Sequence, residues 1–587
     1  MGGNALINVN TGSLSGDLFA QINNRTGSIV SDAAVNVTAT SISSAGTTGI
    51  DLSVLDRDVG SIGGSAAVSL NVSGSITSGT AGFFIGDAFG SDGPGGGTVG
   101  KDSLVVMGAG SVSTSGFFEA YNNVNGGAHI HGNAINTVAV TGDLTAQQGI
   151  LATIEDTGFT SSLTFGAASH IDGNALLTLS AQNITTTSTA TGTPGIDTMA
   201  LEASIYPNVA GTVGGDAIIN VSATQNISAP GTTLFWIANG NYQNLGPGNI
   251  GGNAEVNITA VSISTGDLLA QIQNFGASIG ANAQVNVAAS SLTVNGTLDS
   301  QINNSQSGTI GGNASINFAI SGNVNVTTDA MFQILGSDGA KTAAININGG
   351  NYNVGVGGTF LGNIDGNGTF TLTNATIAAD TVKIGVFGNN GTLRIGGGGS
   401  GSISASMLLH LYAPNGGIID FVSNVTLSSS ATAAVIAAKT VTIENGVVVT
   451  IGPSTSANVY ATNPNYTGSG GNGKTSGMFV GTVNTQPLGG QPSFDSPTAA
   501  HAATKQSRSI ASAGGRGPTI HVTDSSQLGS LLNNATLGPD GKVRISPQGR
   551  SRNPSVQAST RMMAAKTELH RSVDARARSG VLASRFQ

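Results

Sequence analysis

Six carboxylates stand out in a chain of which only 9% of residues are charged. Asp56 and Asp58 flank Arg57 in "VLDRDVG", Asp87 and Asp92 lie in "IGDAFGSDG", and Glu155 precedes Asp156 in "ATIEDTG". Paired carboxylates are what glycoside hydrolysis needs. One protonates the leaving oxygen while the other attacks the sugar or activates water, with the two about 5 to 10 Å apart. The competing reading of these six is solvated loop acids. Asp17, Asp143 and Asp267 differ from them: they recur in matching turns, and recurrence within a repeat points to a structural role. His129 and His131, in "GGAHIHG", alternate along the chain and would share one face of a strand. Two histidines can begin a metal site, but the sequence offers no third ligand at a sensible spacing. No metal or other cofactor is therefore expected. With no cysteine there is no thiol chemistry, no disulfide and no Cys-ligated metal. P-loop, dinucleotide-binding and nucleophile-elbow patterns are absent, and the Gly-rich runs do not sit between a strand and a helix.

A repeat must position these side chains. The phrase in "GGNALINVN" returns in "TVGGDAIINV", "NIGGNAEVNI", "SIGANAQVNV" and "TIGGNASINF". Ten copies align on Asn4, Asp32, Ser65, Asp102, Asn133, Asn174, Asp216, Asn253, Asn282 and Asn313, in steps of 28 to 42 residues. One residue after this anchor is Ala in every copy but one, Ser103. Three after it is apolar except at Asn136, and five after it is always apolar. Such period-two alternation marks a strand buried on one face, so Val285 and Val287 are expected to point inward. Four after the anchor, Asn recurs at Asn8, Asn36, Asn220, Asn257, Asn286 and Asn317. These lie on the opposite face. There they either stack as a hydrogen-bonded amide ladder or simply meet water. Two further β-rich stretches follow each anchored strand, giving three short strands and three bends per repeat.

Composition agrees with a narrow core. Apolar residues are 39% of the chain and aromatic residues 5%, and 88 residues are glycine. The expected fold is all-β: a right-handed parallel β-helix of about fifteen coils, with a mostly disordered basic tail. Residues 1–340 carry coils of about 30 to 40 residues, and 341–460 carry tighter coils of 23 to 26 residues. Residues 461–516 form a Gly/Pro/Ser/Ala-rich linker, and 517–587 form the tail, with a short strand and helices. Charge divides along the same line. Residues 1–484 hold 8 Lys+Arg against 25 Asp+Glu (net −17), and 485–587 hold 13 against 5 (net +8). The basic face of 558–586 is of a kind that meets anionic lipid or a partner, although most basic tails are solvated. It lacks interleaved aromatics, so nucleic acid is not an expected partner. No apolar run is long enough to cross a bilayer as a helix. The chain opens inside a repeat with no signal peptide, which suggests part of something longer.

With its Gly-Gly-Asn-Ala coils, low charge, missing cysteine and the ending "VTIENGVVVTIG", the chain resembles bacterial filamentous-haemagglutinin-like and autotransporter-type β-helical surface proteins over residues 1 to 460. The resemblance implies export through an outer-membrane partner to the cell surface or the medium, and service as an adhesin or scaffold that meets glycans or cell-surface molecules. It departs from those proteins in having neither an N-terminal secretion module nor a C-terminal barrel. The sequence thus leads to a non-enzymatic, adhesin-like or structural protein. The alternative is a polysaccharide lyase or glycosidase that uses the six carboxylates.

Overall fold

The computed structural model describes residues 2–494 apart from 25, 47–48, 57–58, 81, 90–95, 158–167, 192–198, 209–210, 240–247, 398–400, 454, 468–470, 472–475 and 493. Beyond these it describes only the strands Ala535–Leu537 and Val543–Ile545. Two compact units are present. The first holds nearly all the described residues up to Pro492, and the antiparallel pair Ala535–Leu537 and Val543–Ile545 belongs to the second.

The first unit is all-β, and its strands pair in parallel. The repeat around Asn282 illustrates the arrangement. A two-residue strand, Ser278–Ile279, is followed by the long strand Ala283–Val294 and then by Leu298–Asn303. Each of the three pairs with its counterpart in the next repeat: Ser278 with Thr309, Ala283 with Ala314, and Leu298 with Ala330. The two-residue strands of nine repeats form a sheet of their own, and the longer strands join a second, 37-stranded sheet. From Thr342 onward the offsets tighten, Ala344 lying beside Thr369 and Thr369 beside Thr392. Parallel pairing continues to Gln486, where Ser456–Asn465 meets Thr482–Gln486. The stack therefore runs past the boundary expected at 460. Val483 accounts for this: it is buried beside Ala457 and adds one more apolar rung to a segment whose composition reads as linker. The helices expected in the tail lie outside the described residues.

The alternation explains the core. Val285 and Val287 are buried, as are their counterparts Val256, Ile258, Ile316 and Phe318. The two column exceptions also lie inside. Asn136 is buried and its amide donates to the carbonyl oxygen of Ala120 at 2.9 Å. Ser103 is buried and its hydroxyl accepts from Asn122 at 2.7 Å. Buried polar groups persist when they find such partners.

Outside, the asparagines stack. Asn257 donates to Asn220, Asn286 to Asn257, Asn317 to Asn286 and Asn346 to Asn317, at 2.7 to 3.0 Å. Of the two readings of this column, the ladder is the one the structure shows. The anchors form a second ladder. The side-chain oxygen of each accepts the backbone N–H of the next, from Asn133 to Asn174, Asp216, Asn253, Asn282 and Asn313, at 2.7 to 3.1 Å. This explains the glycine before the anchor. A Cβ at Gly215 would lie 2.2 Å from Asn174 Oδ1, and one at Gly252 2.2 Å from Asp216 Oδ1.

Candidate functional site

The recurring acids bind the neighbouring repeat, Asp17 and Asp267 from the bend before a third strand and Asp143, against expectation, as the first residue of the strand Asp143–Ala146. Asp17 accepts from the Ser44 hydroxyl at 2.7 Å, Asp143 from the Asn183 amide at 2.6 Å, and Asp267 from the Thr297 backbone N–H at 2.7 Å.

Two of the six candidate carboxylates are also part of the frame. Asp56 ends the strand Ile50–Asp56 and lies beside Asn24 in parallel register. Its Oδ1 accepts from Asn24 Nδ2 at 2.7 Å. A Cβ at Gly60 would lie 2.1 Å from that same oxygen, and one at Gly97 2.6 Å from Oδ2, so glycines close on the carboxylate from both sides. Burial pushes the Asp56 carboxyl up to about 7, against the hydrogen bonds from the Asn24 amide and the Thr98 backbone N–H. Asp156 is fully buried, and burial holds its carboxyl well above the usual range despite the Thr212 backbone N–H.

Both acids occupy one register column at the end of the third strand, which the sequence reading missed. Further along the stack the same corner holds Asn239, Asn274 and Asn304. Asn239 donates to Asn274 at 2.7 Å and Asn274 to Asn304 at 2.6 Å. The signal was the phrase at the end of the third strand in four repeats: Ile22-Asn23-Asn24, Ile237-Ala238-Asn239, Ile272-Gln273-Asn274 and Ile302-Asn303-Asn304. Val54-Leu55-Asp56 and Ile154-Glu155-Asp156 fit it, so these acids are regular members of a column. By register, Phe89 and Val124 stand between them. Three strand spacings separate the two carboxylates by roughly 14 Å. A retaining pair needs about 5 to 5.5 Å and an inverting pair about 6.5 to 9.5 Å.

The other four candidates are placed less fully. Glu155 is half-buried in the strand Gly149–Thr157, beside Tyr206 in register. Asp87 lies in the strand Phe83–Phe89 at the register position of Val54 and Asn122. Asp58 and Asp92 lie outside the described residues.

The histidines gain a partner from the next coil. His129–Ile130 pairs in parallel with His170–Ile171, which sets "HIH" above "HID". His129 Nε2 lies 2.8 Å from Asp172 Oδ1, and His131 Nδ1 lies 3.0 Å from Asp172 Oδ2. The His129 and His131 rings are 3.9 Å apart between centroids, and His170 stands edge-on to His129 at 5.5 Å. Burial alone would raise the Asp172 carboxyl; hydrogen bonds from His129 and His131 outweigh it and hold the group below its usual range. The His170 imidazole is pushed down by burial and then by His129, with Asp172 opposing. Among the described residues, His129, His131 and Asp172 are the group whose ligand atoms lie close enough together, within 4.8 Å, to hold one metal ion. Asp172, 41 residues beyond His131, is the third member of this group, and the sequence did not reveal it.

A satellite apolar cluster of Met199, Tyr206, Leu234, Trp236 and Ala238 packs apart from the main core. Within it Tyr206 meets Trp236 edge-on at 5.1 Å and donates its hydroxyl to Glu202. No helix among the described residues is long and apolar enough to cross a membrane. The chain matches no family model, no curated protein and no solved structure.

Proposed function

We propose that the first unit is a right-handed parallel β-helix of about fifteen coils, and that it serves as a non-enzymatic, extended, adhesin-like or structural protein at a bacterial surface or in the medium. The parallel, in-register pairing of every repeat with the next supports the coil reading, and a parallel crossover is right-handed in nearly all folds. The observation that carries the function is the continuous column of uncharged amides from Asn220 to Asn346 on a partly exposed strand face. Such an array offers many equivalent, individually weak hydrogen-bond sites, suited to multivalent contact with glycans or like molecules. Exclusively structural uses of Asp17, Asp56, Asp143 and Asp267 point the same way, because these acids hold the frame together.

The test is incubation of the full chain with a panel of bacterial and plant polysaccharides. Retention on a glycan with no new reducing or unsaturated ends is the expected outcome. New ends that vanish in Asp87→Asn or Glu155→Gln would overturn the reading in favour of a carbohydrate-active enzyme.

A further inference from the structure

We propose that His129, His131 and Asp172 form a solvent-open binding site for a divalent transition-metal ion of the Zn2+ or Ni2+ class. The inference stands apart from the adhesin reading, since it rests on a different face and different residues.

Geometry comes first. The three groups already converge: His129 Nε2 lies 2.8 Å from Asp172 Oδ1 and His131 Nδ1 3.0 Å from Asp172 Oδ2, and one ligand atom from each residue lies within 4.8 Å of the others. Around a tetrahedral ion with bonds of about 2.0 to 2.1 Å, ligand atoms lie roughly 3.3 Å apart. Side-chain shifts of no more than about 1.5 Å would therefore bring the ligand atoms to that spacing and admit the ion. Side-chain rotation provides that much, because the three side chains remain 32%, 47% and 48% exposed. Their exposure also leaves the remaining coordination positions to water or an outside ligand. Two imidazoles and one carboxylate suit borderline transition ions, whereas Ca2+ and Mg2+ require oxygen donors.

The repeat supplies an independent argument. The first residue of the corner strand is Ser28, Ser61, Thr98, Thr212, Asn249, Ser278 or Thr309 in seven repeats, and His129 or His170 in two. Two residues later the column reads Gly63, Gly100, Gly214, Gly251, Gly280 and Gly311, with Val30 as a further exception, but His131 and Asp172 in these same two repeats. Packing favours glycine there: a Cβ at Gly251 or Gly280 would lie 2.0 to 2.1 Å from the carbonyl oxygen of the glycine one coil earlier. The corner is thus built elsewhere without any ligating side chain, and folding does not call for one. An exposed His–Asp ion pair adds little to stability, so it does not account for bulky groups in a glycine column. Adjacent coils depart together, and the departures meet at one point.

The experiment uses the full chain, free of any affinity tag and stripped with a chelator, titrated calorimetrically with Zn2+. Co2+ absorption in the visible reports the ligand field. One Zn2+ per chain is expected. His131→Ala and Asp172→Asn should each weaken binding at least tenfold, and Thr98→Ala, in the same corner column two coils before His170, should leave it unchanged. Asp172→Asn keeps the shape of the side chain, so it tests the charge even if the histidine variant folds poorly. A hundredfold excess of Ca2+ should not displace the ion. Absence of saturable uptake, uptake unchanged in both variants, or displacement by Ca2+ would each overturn the proposal.

Discussion

A buried carboxylate is costly unless something satisfies its charge, and Asp56 shows how a stack deals with that cost. On one side of it in the corner column stands Asn24, whose amide donates to Asp56 Oδ1, and on the other, by register, stands Phe89, which carries no hydrogen-bonding group. An aspartate only accepts when ionised. Burial makes the folded chain prefer the protonated form, pushing the carboxyl up to about 7 from an ordinary value of 3.8 against the hydrogen bonds from Asn24 and Thr98. Between these values the folded state holds a proton that the unfolded state has released, so stability falls as pH rises through the window. Asp56→Asn should remove that fall. At pH 8 it should stabilise the chain by about 1 to 2 kcal/mol, allowing for solvent screening, and at pH 4 by little. Urea unfolding at the two pH values measures the difference. An equal effect at both, or a loss at pH 8, would contradict the assignment of Asp56 to the frame.

A single strand carries two different economies on its two faces. On the inner face of Ala283–Val294, Val285 and Val287 are closed off among Val256, Ile258, Ile316 and Phe318. On the outer face Asn286 donates to Asn257 and accepts from Asn317. Val287→Asp places a charge where no partner exists and should cost at least about 4 kcal/mol. Asn286→Ala breaks two hydrogen bonds, but water reaches the groups left behind, so the expected cost is about 1 kcal/mol. Guanidinium unfolding midpoints of the two variants should separate clearly. Equal midpoints would mean that the faces have been assigned the wrong way round.

For the first unit as a whole, each repeat meets only its neighbours, and stability should be a sum of repeat and interface contributions. Excision of one full period tests this. Removing residues 254–282 joins Asn253 to Ala283 and brings Thr233–Ala238 against Leu298–Asn303, with every inward column still in register. That variant should fold, keep its β circular dichroism and unfold within a few degrees of the parent. Removing 254–267 alone cuts a period in half and sets unlike strands against each other, so it should fail to fold. A tolerated half-period deletion would show that the repeat is not the unit of stability.

The sequence by itself determined what each strand does, because in a stacked repeat every position meets a copy of its own surroundings. The Ala after the anchor, the apolar residue five after it and the Asn between are visible as columns for that reason. The same logic places Asp17 and Asp267 in structural turns, but it misplaces Asp143, which opens the strand Asp143–Ala146 beside Asn183. Even the corner column of Asn24, Asp56, Asp156, Asn239, Asn274 and Asn304 was written in the chain, at or just past the end of the third strand in six repeats, though the unlike residues around Asp56 in "VLDRDVG" and Asp156 in "ATIEDTG" made two of its members look exceptional. What the tertiary structure alone decided is which repeat faces which at a given point. Steps between anchors run from 28 to 42 residues, and the variation lies in segments that no column constrains. The distance from His131 to its carboxylate therefore corresponds to no fixed spacing. Only the pairing of His129–Ile130 with His170–Ile171 brings Asp172 to the two histidines, because backbone hydrogen bonds between coils, not separation along the chain, set which side chains become neighbours.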